Sequence, residues 1–284
     1  MKVLVLGGTG MAGHTISIYF NENGHDVTAF SRRNVAFCKN INGDITDFKN
    51  LKTIIDVGKY DAIINAIGIL NQDAEDHKPR AVLLNSYLPH FLSDTTKYMD
   101  TKVIHMSTDC VFSGKTGGYS ETSIRDGETF YDRTKALGEL ENNKDLTFRN
   151  SIVGPDMNEK GIGLFNWFMK QKGQINGFTK AVWTGVTTLT LAKAMEQALK
   201  VNLTGLYNLV NNETISKYEL LILFNNYMKD GKIEIIPSDK HPVDKSLINN
   251  RNDFSFEVPS YDAMVTEMKE WINSHKNLYP HYFK

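Results

Sequence analysis

An α/β fold, with a doubly wound parallel sheet and a smaller C-terminal lobe interleaved with it, is predicted by three features of the 284-residue sequence. Short apolar, β-branched runs alternate with stretches of helical period through the first half. A glycine cluster, "GGTGMAG", lies between the first such run and the first helical stretch. After about residue 150 the pattern is interrupted by Gly154, Pro155, Gly161, Gly163, Gly173 and Gly177. Strand and helix in alternation imply parallel strands joined by right-handed crossovers.

In order, strands are expected at residues 2–6, 26–30, 62–66 and 102–106, and helices at 11–23, 47–58, 80–100 and 131–142. Connections here are short, with no sign of a flexible linker. In the second half the runs at 146–148, 205–210 and 232–236 read as strands, and 189–201 and 217–229 as helices. Residues 261–274, with Pro259 near their start, read as a terminal helix.

The 32 Lys and Arg nearly balance the 33 Asp and Glu, so no basic field argues for a nucleic-acid partner. No apolar run is long enough to span a membrane, and the opening apolar stretch is too short for a signal peptide. Cys38 and Cys110 lie far apart and outside any CxxC pattern, and no histidine pair has metal-ligand spacing. The expectation is a cytoplasmic protein without a metal, acting on a small molecule.

The glycines fit G-x-G-x-x-G through Gly8, Gly10 and Gly13, and G-x-x-G-x-x-G through Gly7, Gly10 and Gly13. A turn of this kind, between strand and helix, lets a pyrophosphate approach the backbone at the helix N-terminus. Gly7, Gly10, Met11, Ala12 and Gly13 are therefore the candidate dinucleotide contacts. The second strand ends in Ser31, Arg32 and Arg33, where an acidic residue would bind the ribose of NAD. A hydroxyl and two guanidinium groups suit a 2′-phosphate instead, so NADPH is favoured and NADH remains open.

Tyr131 and Lys135 are four apart and share a helix face. Ser107, Thr108 and Asp109 fall just past a predicted strand, where ligands gather in open α/β sheets. Ketone reduction needs a hydride and a proton. A tyrosine, whose ordinary pKa is about 10, can give the proton if a nearby ammonium eases its ionisation. Lys135 is the candidate ammonium, and it could also hold the cofactor ribose. A hydroxyl from Thr108 or Ser107 would hydrogen-bond the carbonyl oxygen as charge develops on it.

These features resemble the extended short-chain dehydrogenase/reductases, and within them the dTDP-4-dehydrorhamnose reductase group. The resemblance runs nearly end to end: "GGTGMAGH", "GDITD" at 43–47, "NAIG" at 65–68, "NQDAED" at 71–76, "LLNSYLPHFL" at 83–92, "STDCVF" at 107–112, "GGYSET" at 117–122, "YDRTKALGE" at 131–139, "RNSIVG" at 149–154 and "GLYNLVNNETISKYEL" later. It implies a Rossmann-type sheet and a catalytic Thr108, Tyr131 and Lys135. It also places Asp44 and Ile45 beside adenine, Asn65, Ala66 and Ile67 along the cofactor, Asn85 as a structural residue and Asp109 facing a sugar. Residues 1–150 would be mainly the NADP-binding domain and 151–284 mainly the substrate-binding lobe, with about 180–210 returning to the first. The implied activity is reduction of a nucleotide-activated 4-keto-6-deoxy sugar for cell-surface polysaccharide, and the implied assembly a homodimer paired through helices beside the site.

The chain also departs from that group. Cys110 stands where a tyrosine is typical and Ile152 where a tryptophan is, so the sugar pocket loses two rings. Trp183 replaces a polar residue, and is either a stacking surface for a base or sugar or a core residue. These changes point away from dTDP-4-dehydrorhamnose itself. In "DKSLINNRNDF", Ser246 matches the group's pattern, and Lys245 and Arg251 are read either as charges for the substrate diphosphate or as residues of a solvated loop. The rival readings are an epimerase or dehydratase with tightly held NAD, and a non-catalytic NADP-binding regulatory subunit like that of methionine adenosyltransferase.

Overall fold

The computed structural model describes residues 1–283. Its centre is a seven-stranded, all-parallel sheet made of β1 (Lys2–Leu6), β2 (Asp26–Ser31), β3 (Lys39–Asn42), β4 (Ala62–Asn65), β5 (Lys102–Met106), β6 (Leu146–Arg149) and the strand Gly205–Asn208. Across the sheet the order is Gly205–Asn208, β6, β5, β4, β1, β2, β3. The chain thus leaves β1 toward one edge and returns to its other side at β4. This reversal opens a crevice at the carboxyl ends of β1 and β4.

Side chains alternate across a strand, so β1 feeds both faces. Val3 and Val5 join the larger core beside α1 (Met11–Glu22) and the helix Thr188–Lys200, and Leu4 and Leu6 join the core under α2 (Phe48–Gly58). All four are fully buried. That is why the run "VLVL" reads as continuous apolar rather than alternating: both faces are covered.

The second half adds three small sheets. Ser151–Val153 pairs with Gly185–Thr187, Ala181–Trp183 lies between Ile215–Ser216 and Val243–Asp244, and Gln174–Phe178 pairs with Glu234–Ser238. Most of these strands are two or three residues long, too short for a period to show in sequence. The strand expected at 232–236 forms as Glu234–Ser238, outside the main sheet, whereas Gly205–Asn208 returns to it.

Two expected helices are altered by packing. The stretch expected at 80–100 forms Lys78–Ala81, a π-helical turn Val82–Tyr87 and Leu88–Thr95. Pro89 has no N–H to give to the Asn85 carbonyl four residues back. That carbonyl lies where a Cβ on Gly138 would come within 1.9 Å of it, so only glycine fits there. The helix expected at 131–142 accordingly ends at Leu137, with Gly138 as its C-cap. No helix among the described residues is long and apolar enough to cross a membrane, and no metal-binding cluster occurs among them.

Candidate active site

The glycine turn closes on itself. Gly7 N–H donates to Phe30 O (2.9 Å) and Gly10 N–H to Gly7 O (2.9 Å). Gly7 has φ +88°, a conformation that glycine adopts without strain. A Cβ on Gly13 would sit 2.1 Å from Gly7 O, so the start of α1 can approach the end of β1 only with glycine at 13. No side chain caps α1 and its first turn holds no acidic residue. The donors at Met11 and Ala12 thus start a helix with nothing anionic of its own, the arrangement that receives a phosphate.

At the end of β2, Ser31 is buried and its hydroxyl donates to Arg33 O (2.6 Å) and Asn40 Oδ1 (3.2 Å). Arg32 and Arg33 are exposed, and neither guanidinium enters an ion pair among the described residues. A groove of ≈ 680 Å³ runs from Thr9 past Arg33 and Asn34 to Asn158 and His275. Thr108, Tyr131 and Lys135 do not line it. Asp44 Oδ1 accepts from Thr46 N–H (2.9 Å) and Oγ1 (2.8 Å), and those two bonds hold its carboxyl below the usual range. Ile45 packs against the core under α2. Asn65, fully buried at the end of β4, accepts from Ile67 N–H (3.2 Å) and meets His105 Nδ1 at 3.2 Å. Ala66 N–H donates to Leu6 O (3.1 Å), and Ile67 Cγ1 lies 3.0 Å from where a Cβ on Gly7 would be. The 65–67 turn and the glycine turn are therefore in contact across the crevice.

Tyr131 and Lys135 stand on the helix Phe130–Leu137, which begins with a reciprocal capping box between Thr129 and Asp132. Asn85 ties that helix to the 66–70 turn: it accepts from Ile69 N–H (2.8 Å) and donates to Ile69 O (2.9 Å) and Thr134 Oγ1 (3.2 Å). Both catalytic candidates are buried beside the end of β5, and Lys135 Nζ donates to Met106 O at 2.5 Å. Burial lowers the Lys135 pKa to about 8, opposed by the Glu139 carboxylate. Burial raises the Tyr131 phenol well above its ordinary value, with the Thr108 hydroxyl acting the other way. Desolvation dominates the phenol, and the Lys135 ammonium is turned to a backbone carbonyl.

Thr108 caps the short turn Asp109–Val111, accepting from Cys110 N–H (3.1 Å) and donating to Asp109 Oδ1 (3.0 Å). Ser107 has a different environment. Its hydroxyl donates to Glu139 Oε1 (2.6 Å), in a buried network where Glu139 also receives Arg149 Nε (2.9 Å) and Nη2 (2.7 Å) and Arg125. Of the two hydroxyls considered for the carbonyl oxygen, only that of Thr108 neighbours Tyr131. Glu139 had no role in the sequence reading, although it closes the motif "YDRTKALGE"; a buried carboxylate gives no signal until its arginine is found.

Of the residues expected to face the sugar, Asp109 and Cys110 are half-buried; burial pushes the Asp109 carboxyl up and the Cys110 thiol to about 12. Ile152 is half-buried, paired with Val186. Of the two alternatives for Trp183 the structure shows the core one: the residue is 5% exposed, its ring lies against Tyr261 (5.7 Å between centroids) and it fills the space over Gly185. Arg251 donates to Thr204 O (2.7 Å) and Leu206 O (2.8 Å) and pairs with Asp253. Lys245 lies beside Asp132, with Nζ 4.0 Å from its Oδ2, and its charge acts on Asp109. Ser246 Oγ accepts from Gly118 N–H (2.9 Å), which docks the 117–119 loop.

The family model described as "RmlD substrate binding domain" matches residues 1–247. Methionine adenosyltransferase 2 subunit beta of Xenopus laevis is 27% identical over 263 residues, covering 85% of this chain and 76% of that protein. The solved structure of a hypothetical dTDP-4-dehydrorhamnose reductase from Sulfolobus tokodaii superposes with TM-score 0.77 at 26% identity, over 93% of this chain and 99% of that one. That of dTDP-4-dehydrorhamnose reductase from Bacillus anthracis in complex with NADP gives 0.80 at 19% identity, over 94% and 98%.

Proposed function

The chain belongs to the RmlD substrate binding domain family, and from that premise we propose that it is an NADPH-dependent reductase of a nucleotide-activated 4-keto-6-deoxy sugar. Family and fold make it an NAD(P)(H)-dependent oxidoreductase of a sugar nucleotide. The burial of Tyr131 and Lys135 beside Thr108 at the carboxyl end of β5 supports reduction of a ketone on that sugar.

The uncapped start of α1 and the glycine cradle fit a dinucleotide pyrophosphate, and the unpaired Arg32 and Arg33 favour a 2′-phosphate. When bound, the reduced nicotinamide supplies hydride to the carbonyl carbon. Tyr131 supplies the proton to the oxygen. Its raised pKa keeps the phenol protonated through neutral pH, which a proton donor requires, but makes it a weak acid. Lys135, cationic below about pH 8, stabilises the phenolate left behind. Thr108 can turn its hydroxyl from Asp109 to the carbonyl oxygen as negative charge grows there. On the sugar side, Lys245 faces the substrate diphosphate, and Cys110 and Ile152 stand in place of two aromatic rings.

The test is loss of reduced-nicotinamide absorbance with dTDP-, UDP-, GDP- and CDP-linked 4-keto-6-deoxy sugars. The reading predicts turnover with one nucleotide series that disappears in Tyr131→Phe. Retained turnover in a Tyr131→Phe variant that binds cofactor normally would falsify the assignment. A second reading, a dinucleotide-binding regulatory subunit, is favoured by the 27% identity to the adenosyltransferase subunit. It predicts cofactor binding without turnover of any keto-sugar and copurification with a synthetase.

A further inference from the structure

The family match ends at residue 247, yet the chain beyond it returns to the glycine turn. After the helix Tyr261–Ser274 come two short turns, Lys276–Leu278 and Pro280–Phe283. Between them Tyr279 is fully buried. Its hydroxyl is 2.7 Å from His14 Nε2 and 3.1 Å from Trp271 Nε1. His14, also fully buried, places Nδ1 2.9 Å from Gly10 O, which accepts the His14 N–H as well (3.0 Å).

The chemistry of the groups fixes the direction of every bond. An indole N–H only donates and a carbonyl only accepts. Trp271 therefore donates to Tyr279, Tyr279 gives its proton to His14 Nε2, and His14 keeps its own proton on Nδ1 for Gly10 O. Burial lowers the His14 pKa to about 4, so the neutral tautomer this chain of bonds needs is present at neutral pH.

Gly10 is the N-cap of α1, in extended conformation at φ −80° and ψ 167°. Its peptide is planar and trans, so the direction of the Gly10 carbonyl fixes that of the Met11 N–H, which points the opposite way. A glycine peptide has few steric restraints of its own; the His14 backbone N–H holds this carbonyl from within α1, and the imidazole, anchored from the C-terminus, adds a second restraint. The next turn holds the facing loop: Tyr282 Oη accepts from Asp156 N–H (2.9 Å) and donates to Asn166 Oδ1 (2.9 Å). In that loop, a Cβ on Gly163 would lie 3.0 Å from Met11 Sδ.

We propose that Tyr279, acting through His14, is a positioning residue for dinucleotide binding: it locks the Gly10–Met11 peptide so that the Met11 N–H faces the pyrophosphate. The proposal rests on the dinucleotide reading above. The experiment is calorimetric titration of the full chain with NADPH, NADH, ADP-ribose and 2′-AMP, at a temperature where every variant is folded. Tyr279→Phe keeps the ring and removes the hydroxyl. It is expected to raise Kd for the three pyrophosphate ligands by a common factor of about five, the worth of one hydrogen bond. Binding of 2′-AMP, which has no pyrophosphate, and kcat at saturating cofactor stay unchanged. His14→Leu is expected to give the same factor, and the double variant no more than either alone, because both act through one chain of bonds. It also serves as the independent test if Tyr279→Phe does not fold. Wild-type affinity in the variants, or effects that multiply in the double variant, overturns the relay and leaves the dinucleotide reading standing. Absence of dinucleotide binding by the wild type overturns both.

Discussion

In the proposed reading the cofactor side of the site is built from backbone and the sugar side from side chains brought together over long distances. On the first, the glycine turn, its contact with the 65–67 turn and the uncapped start of α1 all lie within one strand-turn-helix unit and its sheet neighbour. On the second, Asp109 comes from a short turn after β5, Ile152 from the strand Ser151–Val153 and Lys245 from the segment after Val243–Asp244, with Trp183, the one large aromatic expected there, withdrawn into the core. Backbone recognition tolerates little change, since a Cβ at Gly13 meets a carbonyl, whereas the sugar side can lose rings and keep its fold. One dinucleotide cradle can in this way serve many substrates.

The contrast is tested most severely where the two sides meet. Tyr131→Phe is expected to lower turnover by about 10²–10⁴ while dinucleotide affinity holds, because the phenol contributes its proton only in the reaction; single-turnover kinetics beside a binding titration separates the two. Next in size is Glu139→Ala. It strands Arg149, which is fully buried, and is expected to cost about 3–5 kcal/mol of stability by urea denaturation. It also frees Ser107 at the end of β5, so residual activity measured on folded protein should fall.

Lys135 gives the pH test. Its charge is lost as pH rises through about 8, so turnover should decline on the alkaline side with a midpoint near 8. In Lys135→Arg that limb should move beyond the accessible range, since guanidinium stays charged. The stability effect has the opposite slope. The folded pKa lies below the ordinary 10.5, so the unfolded chain binds more protons between about 8 and 10.5, and stability rises with pH across that window. Lys135→Met is accordingly expected to stabilise the fold below pH 8 and to lose that advantage above it, as thermal melts at pH 7 and pH 10 would show.

The smallest expected effects divide the two sides most sharply. Replacing Arg32 and Arg33 together by Ala should weaken NADPH binding about tenfold and leave NADH unchanged, because each guanidinium is exposed and free for a 2′-phosphate. Lys245→Ala should raise the KM for the sugar nucleotide a few-fold at constant kcat and constant cofactor Kd. Equal NADPH and NADH losses, or a cofactor effect of Lys245, would erase the boundary.

The sequence by itself determined the β1-turn-α1 unit, the Tyr131 and Lys135 spacing and the placement of Thr108 at a strand end. Each is local: a period of two or 3.6 residues, or a glycine whose missing side chain has one steric meaning. Tertiary structure decided the rest. Lys135 turns to Met106 O because β5 runs beneath its helix, and the phenol of Tyr131 is desolvated by neighbours from other elements. Trp183 is buried because Tyr261 and Gly185 close over it. Arg251 and Lys245, six residues apart in one loop, part company because carbonyls of the Gly205–Asn208 edge capture one and Asp132 draws the other. The bond from Tyr279 to His14 spans 265 residues of chain, and no periodicity encodes a contact between side chains so far apart.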